Sequence, residues 1–133
     1  MIIVGDKITK INAVRGELPR GIGIESKPDI VGVSKKELFS AGEKKSGASI
    51  DYIYTTSYGE KTSIEIEGSL FVVGEDKALK DLIKNYKKNK KLDDNIAAIV
   101  LRRIFEVGMT NSVVISQAMG LPAPIHIPKV VPK

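Results

Sequence analysis

At 133 residues the chain has the size of one domain, long enough to bury roughly two-thirds of its unfolded surface without disulfides or metals. A hydrophobic fraction of 42% beside 28% charged residues suits a packed domain and excludes disorder for most of the chain. With no cysteine and a single histidine, His126, thiol nucleophiles, thiolate metal sites, paired-histidine clusters and histidine-centred relays are excluded. The net charge of +5 is local: residues 77–91 hold seven lysines against one acid, Asp81, and the rest of the chain sums to −1.

The N-terminal MIIVGDK has neither a basic leader nor a long apolar core, and no stretch reaches the roughly 18 apolar residues of a membrane span, which predicts a cytoplasmic protein. Isoleucine and valine far outnumber leucine, a skew that favours strands and is common in heat-adapted proteins. Lys7 to Arg15 reads as a first strand, after which Gly16, Pro19, Gly21 and Gly23 break regularity before an extended IGIE. From Pro28 to Gly47 short apolar pairs alternate with Lys, Ser and Gly, as in a long crossover with a little extended structure.

The clearest pattern lies in the middle. Ile50, Tyr52, Tyr54, Thr56 and Tyr58 share one side of a strand, and Ile64, Ile66, Leu70 and Val72 share one side of the next, with Glu65, Glu67 and Ser69 opposite. The short glycine-containing turn between them predicts an antiparallel hairpin, and Gly68 marks a bulge or a close backbone approach. The period then changes to helical: Ala78, Leu79, Leu82, Ile83 and Tyr86 form an apolar stripe, with acids at its start and lysines at its end, matching the helix dipole. Asp93 or Asp94 can cap a second helix that is apolar nearly all round and should be buried on more than one side. Gly108 and Thr110-Asn111 either interrupt or only kink it, and a near-continuous helix over 94–119 is favoured, with Gly120 at its C′ position. Pro122, Pro124, Pro128 and Pro132 then impose an extended tail over 121–133.

No enzyme signature emerges. Glu65 and Glu67 point to one face, yet alternation with Ile64 and Ile66 makes that face solvent-facing rather than a carboxylate dyad. The glycines at 21 and 23 lack the rest of a phosphate-binding loop, and His126 has no second ligand beside it. The run Lys80, Lys84, Lys87, Lys88, Lys90 and Lys91 is either a solvated helix face or a nucleic-acid contact, since clustered ammonium groups can displace counterions from phosphate. The run contains no arginine and one aromatic residue, Tyr86, which belongs to the apolar stripe. Tyr52, Tyr54 and Tyr58 either face the chain's own helices or, with Leu121, Ile125 and Ile127 of the tail, form apolar surface that another chain completes.

The stretch 96–130, IAAIVLRRIFEVGMTNSVVISQAMGLPAPIHIPKV, resembles the C-terminal part of the SecB family of bacterial protein-export chaperones, in which a long helix is followed by a glycine, a Phe-Pro or Leu-Pro pair and an extended apolar tail. Gly120, Leu121 and Pro122 occupy the corresponding places, and the strand pair 48–73 precedes the helices in the expected order. The resemblance spans about the last two-thirds of the chain, and the Lys and Ile bias suits an archaeal relative. It implies an α+β fold: one domain, 1–133, with a four-stranded antiparallel sheet, a long crossover after the first strand, and C-terminal helices packed on the sheet. It further implies a homo-oligomer, dimer or tetramer, that holds unfolded polypeptide in apolar grooves without ATP, cofactor, metal or catalytic residue. Members of that family are acidic, whereas this chain is basic and has Glu65 and Glu67 as its acidic strip. The candidate peptide-binding residues are Tyr52, Tyr54, Tyr58, Phe71, Leu121, Ile125 and Ile127; the alternative function is a small nucleic-acid-binding module built on the six lysines.

Overall fold

The computed structural model describes residues 1–18, 20, 21 and 23–125, with Ser40 as backbone alone. Four strands, β1 (Ile2–Val14), β2 (Ile24–Ser40), β3 (Glu43–Tyr58) and β4 (Ser63–Val73), precede two helices, α1 (Asp76–Asn89) and α2 (Asp94–Ala118). The sheet is wholly antiparallel in the order β1-β4-β3-β2. The chain therefore crosses from one edge to the other between its first two strands, through residues 15–23. The α+β architecture and the placement of both helices after the sheet agree with the sequence reading.

The segment 28–47 does not form the crossover. Most of it is β2, a 17-residue strand whose breaker residues suit an edge. Pro28, which cannot donate to a ladder, sits in the edge strand opposite Tyr54. A register shift between Ile30 and Gly32 marks a bulge, and the Tyr86 hydroxyl donates to the Ile30 carbonyl beside it at 3.3 Å. β2 and β3 are joined by a two-residue turn in which Ala41 and Gly42 both have positive φ, 54° and 78°, the requirement of a type I′ hairpin. Alanine is an uncommon choice there, because its Cβ crowds the neighbouring carbonyl in the left-handed region. Ala41→Asn should therefore raise stability by about 0.5–1 kcal/mol in a denaturant titration.

The inward face of the central strands is a single apolar layer. Cross-strand pairing sets Ile50 opposite Leu70 and Tyr54 opposite Ile66, so both even-numbered series lie on the side that the helices cover. Leu79, Leu82 and Tyr86 of α1 and Val100 and Ile104 of α2 close the layer from above. α2 runs unbroken through Gly108 and Thr110, but it is buried along one stripe only, Val100, Ile104, Gly108, Ser112 and Ser116. The expected burial on several sides is corrected: Ile99 and Val114 are 59% and 61% exposed. The reason lies in the geometry of a two-layer fold, in which a helix lying on a sheet has one face to bury.

The end of α2 is doubly secured. Gly120 has φ 66° at C′, Leu121 N–H donates to the Ser116 carbonyl at 2.8 Å, and Gly120 N–H donates to the Gln117 carbonyl at 3.2 Å, which is a Schellman closure. Arg15, just past β1, donates to the carbonyls of Met119 and Gly120, placing a cation on the negative end of the helix. Asp93 occupies the N-cap position of α2 without a side-chain capping hydrogen bond.

Candidate peptide-binding surfaces

The three tyrosines belong to the core of the single chain. Tyr52, Tyr54 and Tyr58 are each 1% exposed. Tyr54 stands edge-on to Phe105 of α2, with ring centroids 5.7 Å apart and planes at 86°, and its ring lies directly beneath Gly108. The Tyr58 hydroxyl donates to the Pro122 carbonyl at 2.7 Å and so ties the start of the tail to the end of β3. Tyr52 lies across Gly68 of β4, and its buried hydroxyl has no hydrogen-bond partner among the described residues. Burial pushes all three phenols above the usual range; the charge of Asp6 adds to this at Tyr52, while hydrogen bonding to Ser26 and Thr56 at Tyr54, and to Ser116 at Tyr58, opposes it. The reading in which this face awaits a second chain is thereby corrected. Period-two alternation shows that the residues share a face, but it cannot say which face the helices choose.

The remaining expected residues separate. Phe71 lies on the opposite, outward face of the sheet, half-buried, with Lys36 Nζ 4.5 Å from its ring centroid. Leu121 is 7% exposed and packs into the core, whereas Ile125 is 54% exposed. Ile127 and His126 lie outside the described residues.

Apolar surface does remain, at places the sequence reading did not single out. Along the edge strand β1, Ile2, Val4, Ile11 and Val14 are all about half exposed or more, and on α2 Ile99 and Val114 point outward. Between these elements a cleft of about 320 Å³ is lined by Ile3, Val4, Gly5, Ile99, Arg102, Arg103 and Glu106. Arg103 spans it, its guanidinium 2.9 Å from the Asp6 carboxylate. The β1 edge has unpaired backbone groups on its outer side among the described residues, because β1 pairs with β4 alone. The signal in the sequence was the apolar start IIV, ahead of the strand assigned from Lys7.

The lysines also separate. Lys80, Lys84, Lys87 and Lys88 line one groove of about 600 Å³ with Ile83 and with Lys35 of β2, a residue the sequence pattern did not link to them. Lys90 instead lies 5.7 Å from the Tyr86 ring centroid, and Lys91 borders a different hollow with Asn85, Asn89, Leu92 and Asp93. Among the described residues no group of three or more acidic or histidine side chains is placed to hold a metal ion, and no helix is long and apolar enough to cross a membrane.

A four-stranded antiparallel sheet with both C-terminal helices on one face is an α+β fold of the SecB-like type. The chain is similar to the solved structure of the SecB-like chaperone Rv1957 of Mycobacterium tuberculosis, in complex with a ChAD peptide from the Rv1956 HigA1 antitoxin. The likeness covers 99% of this chain and 91% of that one, at a TM-score of 0.55 and 11% identity. No protein-family model and no curated protein matches the sequence.

Proposed function

We propose that this chain is an ATP-independent holdase that binds unfolded or extended polypeptide and works as a homo-oligomer in the cytoplasm. The observation that carries the reading is the cleft between β1 and α2, where Val4 and Ile99, each about half exposed, line one hollow with Ile3 outside the buried core. Isolated exposed apolar residues need no explanation, but an apolar-lined cleft beside an open strand edge is where self-association and client capture both become favourable. The fold it shares with a peptide-bound SecB-like chaperone supports the same reading. Client binding would combine burial of apolar surface, about 25 cal/mol per Å², with hydrogen bonds to a strand edge. The exposed β1 and α2 residues thus take the place of the buried tyrosines as contacts, while Phe71, Ile125 and Ile127 remain proposed ones.

The test is aggregation of a chemically denatured client on dilution, followed by light scattering without nucleotide. Near-equimolar protein should suppress the scattering, and Ile99→Lys with Val114→Lys should weaken that suppression while leaving the fold intact by circular dichroism. A folded protein whose light-scattering mass is that of a dimer or tetramer, and which suppresses nothing, would overturn the reading.

A further inference from the structure

We propose that the lysine-lined groove between α1 and the outer edge of β2 takes an extended acidic segment of polypeptide as an added strand, so that this chain prefers acidic clients. The inference rests on the polypeptide-binding reading above and names the chemistry of one site for it. α1 lies along β2: its first turns border a hollow with Lys35, and Tyr86 in its last turn reaches the Ile30 carbonyl. Lys80, Ile83, Lys84, Lys87 and Lys88 recur at three- and four-residue spacing and make one flank of the helix. This flank overhangs the strand whose outer edge is unpaired among the described residues, since β2 pairs with β3 alone.

The dimensions suit an extended occupant. The stripe from residue 80 to residue 88 rises about 12 Å along the helix, the length of about four residues of a strand. Side chains of an added strand alternate, so every second one would face the lysines. Acidic residues at those positions would meet the ammonium groups, and an apolar one would rest on Ile83, which is partly buried at the base of the groove. Five lysines around one groove, four of them in a segment whose +6 exceeds the whole chain's net charge of +5, give the complementarity for an acidic partner. The same charge could attract nucleic acid, but the groove is lined by no arginine and no aromatic ring on which a base could stack, and Tyr86 is buried. An apolar base beside an open strand edge favours polypeptide.

The experiment is fluorescence anisotropy on the full chain with four labelled probes. These are a short peptide alternating glutamate and valine, its lysine–valine counterpart, the glutamate peptide N-methylated at alternate amides, and oligothymidine. The glutamate–valine peptide should bind at least about tenfold more tightly than the lysine–valine one. N-methylation should remove most of the binding, and the preference should shrink in high salt. The variant Lys80→Glu, Lys84→Glu, Lys87→Glu should reverse the preference; the same positions as Gln should abolish it and keep the test readable if the glutamates unfold α1. Equal binding of the two peptides, or an unchanged preference in the variants, would overturn the proposal. So would oligothymidine binding that exceeds the glutamate peptide's and is lost in the variants, which would give the groove to nucleic acid. Failure of the two readings is separable. If denatured clients are held regardless of their charge and the lysine variants hold them equally well, the groove is wrong and the holdase reading survives. If no client is held but the peptides bind with the expected charge dependence, the reverse is true.

Discussion

Gly108→Val should destabilise the protein by roughly 3 kcal/mol and Gly108→Ala by about 1–2 kcal/mol, read from denaturant or thermal unfolding. The sign for alanine is the informative part. A glycine inside a helix costs about 0.8–1 kcal/mol relative to alanine by propensity alone, so on an open face the substitution would stabilise. Here a Cβ at position 108 would sit 2.6 Å from Cδ1 and Cδ2 of Tyr54, a ring held by α2 above and by its strand below. The ring cannot swing aside, so the helix must lift and the surrounding contacts loosen. Coupling to the ring distinguishes this account from a general dislike of mutation: in a Tyr54→Leu background the alanine should be neutral or stabilising. A Gly108→Ala protein more stable than the parent would mean that α2 does not lie this close to the sheet.

The same contact shows how far the sequence could be read. Amphipathic period and capping residues place α1, α2, β4 and the β3–β4 turn within a residue or two, because local spacing and glycine chemistry decide those elements, whereas β3 begins at Glu43, five residues ahead of the strand expected from 48. The sequence of β2 looks like a loop for a physical reason. An edge strand tolerates Pro28, and a bulge absorbs an extra residue near Gly32, so it carries the punctuation of a loop. Ala41-Gly42 is a further case, since it adopts the I′ geometry without an asparagine or aspartate to announce it. The site was less legible than the fold. Which face of a sheet the helices cover is a tertiary choice, and Tyr52, Tyr54 and Tyr58 look equally ready for either. That Lys35 lines one groove with the lysines of α1 depends on the alignment of a helix with a strand some fifty residues earlier, which no local spacing encodes.

Tyr52 offers the other large effect, and it separates a side chain's volume from its polarity. Tyr52→Ala should cost about 3–5 kcal/mol, because a fully buried ring is removed from the centre of the sheet. Tyr52→Phe should be neutral or slightly stabilising, since its hydroxyl is buried without a partner among the described residues and its desolvation is uncompensated. Tyr58→Phe provides the contrast: its hydroxyl holds the Pro122 carbonyl, and losing that bond should cost about 0.5–1.5 kcal/mol. The ring of Tyr52 occupies the space that Gly68 leaves on the facing strand, where an added Cβ would meet Tyr52 Oη and the Lys7 carbonyl, each at 2.6 Å. Gly68→Ala should therefore remain destabilising even beside Tyr52→Phe, because the Lys7 backbone in β1 cannot yield without opening the β1–β4 pairing. That pairing is also what presents the apolar edge of β1, so Gly68→Ala should weaken client holding and stability together, whereas Tyr52→Phe should lower neither. Loss of client holding in Tyr52→Phe with stability preserved would mean that the phenol is accessible to clients, and the assignment of this ring to the core would be wrong.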